Sequence, residues 1–414
     1  VDIRTLRHLA SPEGKALLRE AESGFGVETE FALGSRLRRD HAPELVAAAL
    51  TQVRLRRRAT AKFHPADAAR MFLTVDGYEQ ATRATVASHR ARRLADRRPG
   101  GRLLDLCCGI GGDLIELARA GLTVTGVEMD ELTAEAARLN IAALDLTGRA
   151  GVLTGDAARH DRSGYDAVVC DPARRTARGR IFDPDAYQPP WSFVLELLDG
   201  DACVKVAPGI PHDRVPAGAE AEWVSDNGEV KEAAIWSGEL ASGCRRRATV
   251  LRGGAGPGSV TAGPGSGTAG SSAAAHMATL TDADDPGDPR VHAPGRFLYE
   301  PDGAVIRAGL VTAVAAMTDG WLLDSSIAYV SADTHLSTPF ARAYEVTEVL
   351  PYDVKALRRY VRAHDIGSLT IKKRGVEVTP EELRRSLRPK GSRTATLVVT
   401  RAGRRTIVLV ATPL

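Results

Sequence analysis

The chain has 414 residues, with 55 Lys and Arg against 52 Asp and Glu, and 43% of its residues are hydrophobic. That length exceeds one ordinary core, so about two or three domains are expected. No apolar run approaches membrane-spanning length, Val1–Arg4 opens no secretory signal, and Cys107, Cys108, Cys170, Cys203 and Cys244 form no C-x-x-C pair beside a His cluster. A cytoplasmic protein with buried thiols, no metal and no membrane association is therefore expected.

The formal charge of +3 hides two basic blocks, net +8 over residues 51–98 and net +10 over residues 351–414, which leave a remainder of −15. Such blocks suit a polyanionic partner; the alternative is arginine covering solvated helices. Residues 1–97 read as an N-terminal helical domain. Pro43 suits a first helical turn, and Leu45, Val46, Ala49, Leu50 and Val53 recur at helical spacing, so one helix is predicted over Pro43–Arg58. A second is predicted over Gln80–Arg97. The arginines at 56, 57 and 58 are candidate phosphate contacts. The spacing of Met71–Thr74 assigns it no element.

Residues 98–252 read as a doubly wound α/β domain. The apolar run Leu103-Leu104-Asp105-Leu106 enters a turn containing Cys107, Gly109, Gly111 and Gly112, and a helix follows from Leu114. The glycines clear side chains from a ligand, and the new helix offers free N–H groups to an anion. A nicotinamide loop would place a third glycine at Leu114, and Asp105 would repel a pyrophosphate. S-adenosylmethionine (SAM) fits better, because an acid can bind its ammonium and backbone N–H groups its carboxylate. Further acids close later strands: Glu128 after Thr123–Val127, suited to ribose hydroxyls with Met129 against adenine; Asp156 before Ala157, suited to the adenine amino group; and Asp171 after Tyr165–Cys170. Open α/β sheets bind ligands at these carboxyl ends. Taken singly, each acid also reads as a helix cap.

As a set, these residues resemble class I SAM-dependent methyltransferases, with Asp105, Gly109 and Gly111 as motif I, Glu128 as motif II, Asp156 as motif III and Asp171-Pro172 as motif IV. The resemblance covers roughly residues 98–252 and implies a Rossmann-like sheet, SAM as cofactor, and Asp171, Pro172 and Arg174 around the acceptor. It also implies an antiparallel hairpin from Glu232–Trp236 and Arg247–Leu251. In related trimethylguanosine-synthase-like enzymes the segment ahead of motif I folds over SAM, which makes Thr74 and Gln80 candidates; helix capping and exposure are the plainer reading.

Residues 253–289 read as a flexible linker, since 253–275 carries almost only Gly, Ala, Ser, Thr and Pro. Residues 290–414 read as an α+β domain, with helical patterns over Ala304–Ala316 and Tyr352–Ala363, strand patterns over Leu369–Lys372, Thr396–Thr400 and Thr406–Val410, and a capping box from Thr379 to Glu382. The run Ile366–Gly375, with Leu383-Arg384-Arg385, resembles THUMP-like domains attached to bacterial methyltransferases. THUMP domains proper bind structured RNA, which makes Lys372, Lys373, Arg374, Arg384 and Arg385 candidate RNA contacts.

Methyl transfer from a sulfonium rests on positioning and electrostatics. Asp171 can accept an N–H of an exocyclic amine, and the Pro172 ring can fix a base plane. Motif IV continues with Ala173 and Arg174, where amino-methyltransferases carry proline and an aromatic. Arg174 can stack on a base or pair with phosphate, and Tyr187 or Trp191 can supply a stacking face. A D-P-x-R motif also resembles RNA C5-uracil methyltransferases, which need a cysteine nucleophile; Cys170 and Cys203 are the nearest. Lys205 is either a charge partner for substrate or a snorkelling strand-end lysine. The expected activity is methylation of an rRNA or tRNA base. A small-molecule or protein acceptor, and a non-catalytic RNA-binding protein, are the alternatives.

Overall fold

The computed structural model describes residues 1–173, 175–176, 179–180, 187–253, 276–288 and 290–414. Arg174 and most of the predicted linker, residues 254–275, lie outside the described residues. Two compact units emerge, one built from Val1–Ala221 and Glu232–Gly243, the other from Glu222–Lys231, Cys244–Arg252 and His276–Leu414. The helices of residues 1–97 thus share a unit with strands of the doubly wound sheet rather than standing apart.

In the first unit the chain opens with α1 (Ile3–Ala10), α2 (Pro12–Gly24), α3 (Glu30–Leu37) and α4 (Pro43–Ala59). Asp2, Ser11 and Thr29 cap the first three through side-chain oxygens. Pro43 opens α4, as its missing N–H predicts. The helix predicted over Gln80–Arg97 begins later, as α7 (Ala84–Arg97); Gln80 instead ends a short α6 (Val75–Gln80), which follows a single turn α5 (Pro65–Ala68). The break at Ala81–Arg83 has a cause: the Lys62 ammonium collects the carbonyls of Tyr78, Glu79 and Ala81, and so terminates α6.

Met71–Leu73 is buried without a strand partner, and side chains satisfy its backbone. The Gln52 amide donates to the Leu73 carbonyl at 2.7 Å and accepts its N–H at 2.9 Å. Asn140 accepts the Phe72 N–H at 2.6 Å, and Arg56 donates to the Met71 carbonyl at 2.8 Å. Leu9, Val53, Met71, Ile110 and Ala136 belong to one core that joins the helices to motif I.

Strands β1 (Arg102–Leu106), β2 (Thr123–Glu128), β3 (Ala150–Thr154), β4 (Ala167–Cys170) and β7 (Ala202–Val206) run parallel, with α8 (Gly112–Arg119), α9 (Glu131–Ala143) and α10 (Trp191–Leu198) in the connections. Two-residue strands β5 (Arg175–Thr176) and β6 (Gly179–Arg180) pair with each other. With β8 (Glu220–Asp226), β9 (Glu229–Trp236), β10 (Arg246–Arg252) and β11 (His276–Thr281), the sheet order is β11-β10-β8-β9-β7-β4-β1-β2-β3. The order reverses between β1 and β4, so ligands are expected outside their carboxyl ends.

The expected hairpin partners differ. β8 follows β9 in the sheet, and β10 lies beyond it. Asn227 and Gly228, both at positive φ (52° and 84°), link β8 to β9, the pair that a two-residue hairpin turn demands. The predicted linker is also shorter than expected: His276–Thr281 is strand β11, antiparallel to β10, with Leu280 buried.

The second unit adds β12 (Phe297–Pro301), β13 (Trp321–Asp324), β14 (Ile327–Ala332), β15 (Ala341–Pro351), β16 (Ile366–Lys373), β17 (Arg393–Ala402) and β18 (Arg405–Pro413), in the order β13-β14-β12-β15-β18-β17-β16. Gly309, in the left-handed region, splits the predicted helix into α11 (Gly303–Ala308) and α12 (Val311–Met317). Helices α13 (Val354–Ala363) and α14 (Pro380–Leu387) bury Leu357, Val361, Leu383 and Leu387 against Val399 and Val408. Thr379 caps α14, and its hydroxyl donates to the Glu382 carboxylate at 2.6 Å. The sheet curls strongly: Lys372 on β16 donates to Glu300 on β12 at 2.6 Å, although three strands separate them in the order.

Candidate functional site

The turn after β1 is built for close approach. Cys107, Gly109 and Gly111 hold φ values of 61°, 57° and 86°, and Gly111 starts α8 from the left-handed region. A Cβ at Gly109 would meet nothing within 4 Å, so the backbone there borders open space. Glu128, ending β2, accepts the N–H of Gly109 and that of Asp130, each at 3.0 Å. A carboxylate offers about four acceptor positions, so Glu128 shapes the turn and keeps capacity for a ligand's hydroxyls. Met129 is 70% exposed beside it. Asp156 accepts from Ala158 N–H at 2.9 Å, and Ala157 is buried in the turn it caps.

Ahead of β1, Thr74 caps α6 by accepting from Gly77, and Gln80 is exposed at its end. Gly77 has no room for a Cβ, because Ile110 and Thr74 occupy it. α6 therefore rests on the motif I turn. Asn140 on α9 donates to the Ile110 carbonyl at 2.9 Å and ties that turn to Phe72.

Behind the turn lies a buried charge cluster. Lys205 on β7 is 3% exposed and donates to Thr82 Oγ1 at 2.5 Å, Asp113 Oδ2 at 3.1 Å and Asp171 Oδ2 at 2.5 Å. Thr82 in turn donates to Asp113 at 2.9 Å. Arg90 on α7, also buried, pairs with Asp113 and with Glu232 on β9. The sheet register explains the meeting: Cys170 is level with Val204, so the following residues, Asp171 and Lys205, emerge side by side. The snorkelling reading of Lys205 is thereby corrected, since its ammonium points inward to three acceptors.

Burial opposes the charge on both partners, and the partners overcome it. Burial raises the Asp113 carboxyl, but Arg90 and Lys205 outweigh it and hold the group at about 2. Burial lowers the Lys205 ammonium, but Asp113 and Asp171 keep it above the ordinary lysine value. Asp105 goes the other way. Burial first, then Asp113, pushes its carboxyl well above the usual range, and its Oδ2 is buried without a hydrogen-bond partner. A cationic group of a ligand would relieve that atom.

Other expected residues are placed elsewhere. Pro172 is buried and Ala173 exposed. The Ala173 N–H donates to the Gln188 carbonyl at 2.7 Å and its carbonyl accepts the Gln188 N–H at 3.1 Å, which joins the two ends of the segment between them. Tyr187 and Trp191 are 2% and 6% exposed and meet edge to face, with the Tyr187 hydroxyl accepting the Ala207 N–H. They pack in the core and offer no face to a base. Cys170 and Cys203 are fully buried; a hydrogen bond with Cys107 and then burial push the Cys170 thiol well above its ordinary value.

Of the candidate phosphate contacts, Arg56 is buried against Phe72, while Arg57 and Arg58 are exposed and lie over Phe25 and Tyr78. Lys372 is bound to Glu300, and Arg374 donates to the Ala328 carbonyl over the Tyr329 ring. Arg384 is exposed but donates to the Leu369 carbonyl; Lys373 and Arg385 are exposed. Sequence reading overlooked Lys355, Arg359 and Arg362, exposed on α13, although their i, i+4, i+7 spacing could have flagged them. Among the described residues no helix is long and apolar enough to cross a membrane, and no group of three or more His, Cys, Asp or Glu could hold a metal.

The strand order, the glycine turn and the acids at the strand ends define a SAM-dependent methyltransferase. Known proteins agree. The chain is 38% identical over 377 residues, 88% of its length and 94% of the relative's, to an uncharacterised S-adenosylmethionine-dependent methyltransferase of Mycobacterium tuberculosis. It therefore belongs to the S-adenosylmethionine-dependent methyltransferases. The THUMP domain-like family matches residues 341–413, and a family described only as a domain of unknown function matches residues 2–59. A shorter stretch, 27% of the chain and 24% of the relative, is 33% identical over 114 residues to the 23S rRNA (uracil(1939)-C(5))-methyltransferase RlmD of Dechloromonas aromatica. A crystal structure from Porphyromonas gingivalis W83, assigned as a methyltransferase, shares the fold over 96% of both chains with a TM-score of 0.71 at 22% identity. The unpartnered Asp105 Oδ2 and the open space beside Gly109 fit the cofactor.

Proposed function

We propose that this enzyme methylates a base of rRNA or tRNA, with Asp171 as the acceptor-binding carboxylate. The observation that carries the reading is the placement of Asp171: it follows β4 at the point where strand order reverses, with Oδ2 held by Lys205 and, among the described residues, no hydrogen bond on Oδ1. When bound, SAM supplies an activated methyl group that needs no further activation by the protein. Asp105 receives its ammonium, the N–H groups at the start of α8 its carboxylate, Glu128 its ribose hydroxyls and Asp156 its adenine amino group. Gly112 and Cys107 complete the turn, and Thr74 and Gln80 border it from α6.

The Asp171 carboxylate accepts a hydrogen bond from an N–H of the acceptor amine and so aims the nitrogen lone pair in line with the methyl. An RNA substrate is supported by the THUMP domain-like match, by the stretch similar to RlmD, and by exposed Arg57, Arg58, Lys373, Arg385 and the α13 cations. The RlmD name specifies uracil C5, a reaction that needs a cysteine nucleophile. Burial of Cys170 and Cys203 favours a nitrogen acceptor instead. The test is incubation with radiolabelled SAM and unmodified transcripts of rRNA and tRNA, followed by nucleoside analysis. A methylated amino-nucleoside supports the reading; label entering only protein or small molecules overturns it.

A further inference from the structure

We infer that Lys205 is a positioning residue for methyl transfer: by binding Oδ2 of Asp171 it fixes the orientation in which that carboxylate meets the acceptor. The inference rests on the reading of Asp171 given above. Its grounds are geometric. An ammonium has three donors, and Lys205 has three acceptors at hydrogen-bond distance, on Thr82, Asp113 and Asp171. These belong to the segment between α6 and α7, to α8, and to the end of β4, so one buried side chain fixes all three relative to β7. Asp113 is in turn held by Arg90, which is anchored on Glu232. Lys205 therefore cannot swing away to substrate without giving up all three of its acceptors.

Asp171 differs from its neighbours in exposure, its side chain being 28% exposed against 4% for Lys205 and 12% for Asp113. It is the member of the cluster at the surface, and Lys205 reaches it from beneath. Without that hold a carboxylate rotates about two side-chain bonds, and a misplacement of about 1 Å costs on the order of 100-fold in rate. Lys205 acts through Asp171, because its three donors are taken up by Thr82, Asp113 and Asp171. Thr82 extends the arrangement. It accepts from Lys205 and donates to Asp113, so the segment lying against motif I is fastened to the same lysine as the acceptor-binding acid.

The test compares full-length wild type with Lys205→Met, Lys205→Gln and Asp171→Asn by crystal structure, by SAM calorimetry, and by methyl transfer to unmodified rRNA and tRNA transcripts. For Lys205→Met the expected result is a displaced Asp171 carboxylate, SAM affinity within about threefold of wild type, and kcat lowered on the order of 100-fold with the KM for RNA nearly unchanged. Lys205→Gln, which keeps a donor, restores part of the kcat and is the variant to use if the methionine variant does not fold. An Asp171 carboxylate that stays in place in both variants overturns the inference, as does undiminished kcat in a series where Asp171→Asn abolishes transfer. If Asp171→Asn transfers normally, or no transcript is methylated, the reading of Asp171 or of RNA fails instead, and the crystal structures still decide whether Lys205 sets that carboxylate.

Discussion

Asn140, buried on α9, donates to the Ile110 carbonyl at 2.9 Å and accepts the Phe72 N–H at 2.6 Å, so one amide joins the helical N-terminal segment to the motif I turn. Asn140→Ala leaves both backbone groups buried without partners. At about 1–3 kcal/mol each, the expected loss is on the order of 3 kcal/mol, read as a lower urea midpoint with an unchanged slope. A loss below about 0.5 kcal/mol would mean that the segment is held by its apolar core alone.

Asp105→Ala and Glu128→Ala are each expected to weaken SAM binding at least tenfold, or about 1.4 kcal/mol. Wild-type binding is expected to release protons at pH values above the usual carboxylate range, since burial and then Asp113 raise the Asp105 carboxyl and an ammonium favours its ionised form. Calorimetry in buffers of different ionisation enthalpy reads this release, and Asp105→Asn removes it. Identical heats in all buffers across that range would show that Asp105 does not meet the ammonium.

The pH dependence of folding carries the opposite sign at Asp113. Its carboxyl sits at about 2 when folded against an ordinary 3.8. Its contribution is therefore complete above roughly pH 4 and lost as pH falls toward roughly pH 2. Urea midpoints measured across that window should fall more steeply for wild type than for Asp113→Asn. Parallel curves would mean that Arg90 and Lys205 do not stabilise the charged form.

Charge reversal separates binding cations from structural ones. Lys373→Glu with Arg385→Glu should weaken RNA binding and flatten its salt dependence, because each lost phosphate contact removes about 0.7–0.9 from the slope, and should leave thermal stability unchanged. Lys372→Ala should lower the melting temperature, because Glu300 and Tyr344 lose the ammonium between them. RNA affinity insensitive to both changes and to salt would place the nucleic-acid surface elsewhere.

What was legible in the sequence was what obeys a local rule. The glycine turn, the acids at strand ends and the Pro43 helix each follow from neighbours along the chain. The buried charge cluster does not. Lys205, Asp171, Asp113 and Arg90 are far apart in sequence, and the β4–β7 register and the packing of α7 bring them together. Met71–Leu73 resisted assignment because its ladder consists of side-chain amides, Gln52 and Asn140, which leave no periodic trace. The β8–β9 hairpin was readable in principle, since Asn227-Gly228 is a strong two-residue turn signal. The pairing inferred by family resemblance skipped over it.

The two hydrogen bonds between Ala173 and Gln188 close the base of a segment that leaves the chain just after Asp171 and Pro172. This backbone pairing meets the hydrogen-bonding needs of Ala173 just beyond the acid, whatever side chains the intervening sequence carries. The arginines at 174, 175, 178 and 180 lie within that stretch. Substitutions at those positions leave the two hydrogen bonds that follow the acid unchanged in kind, because backbone groups make both.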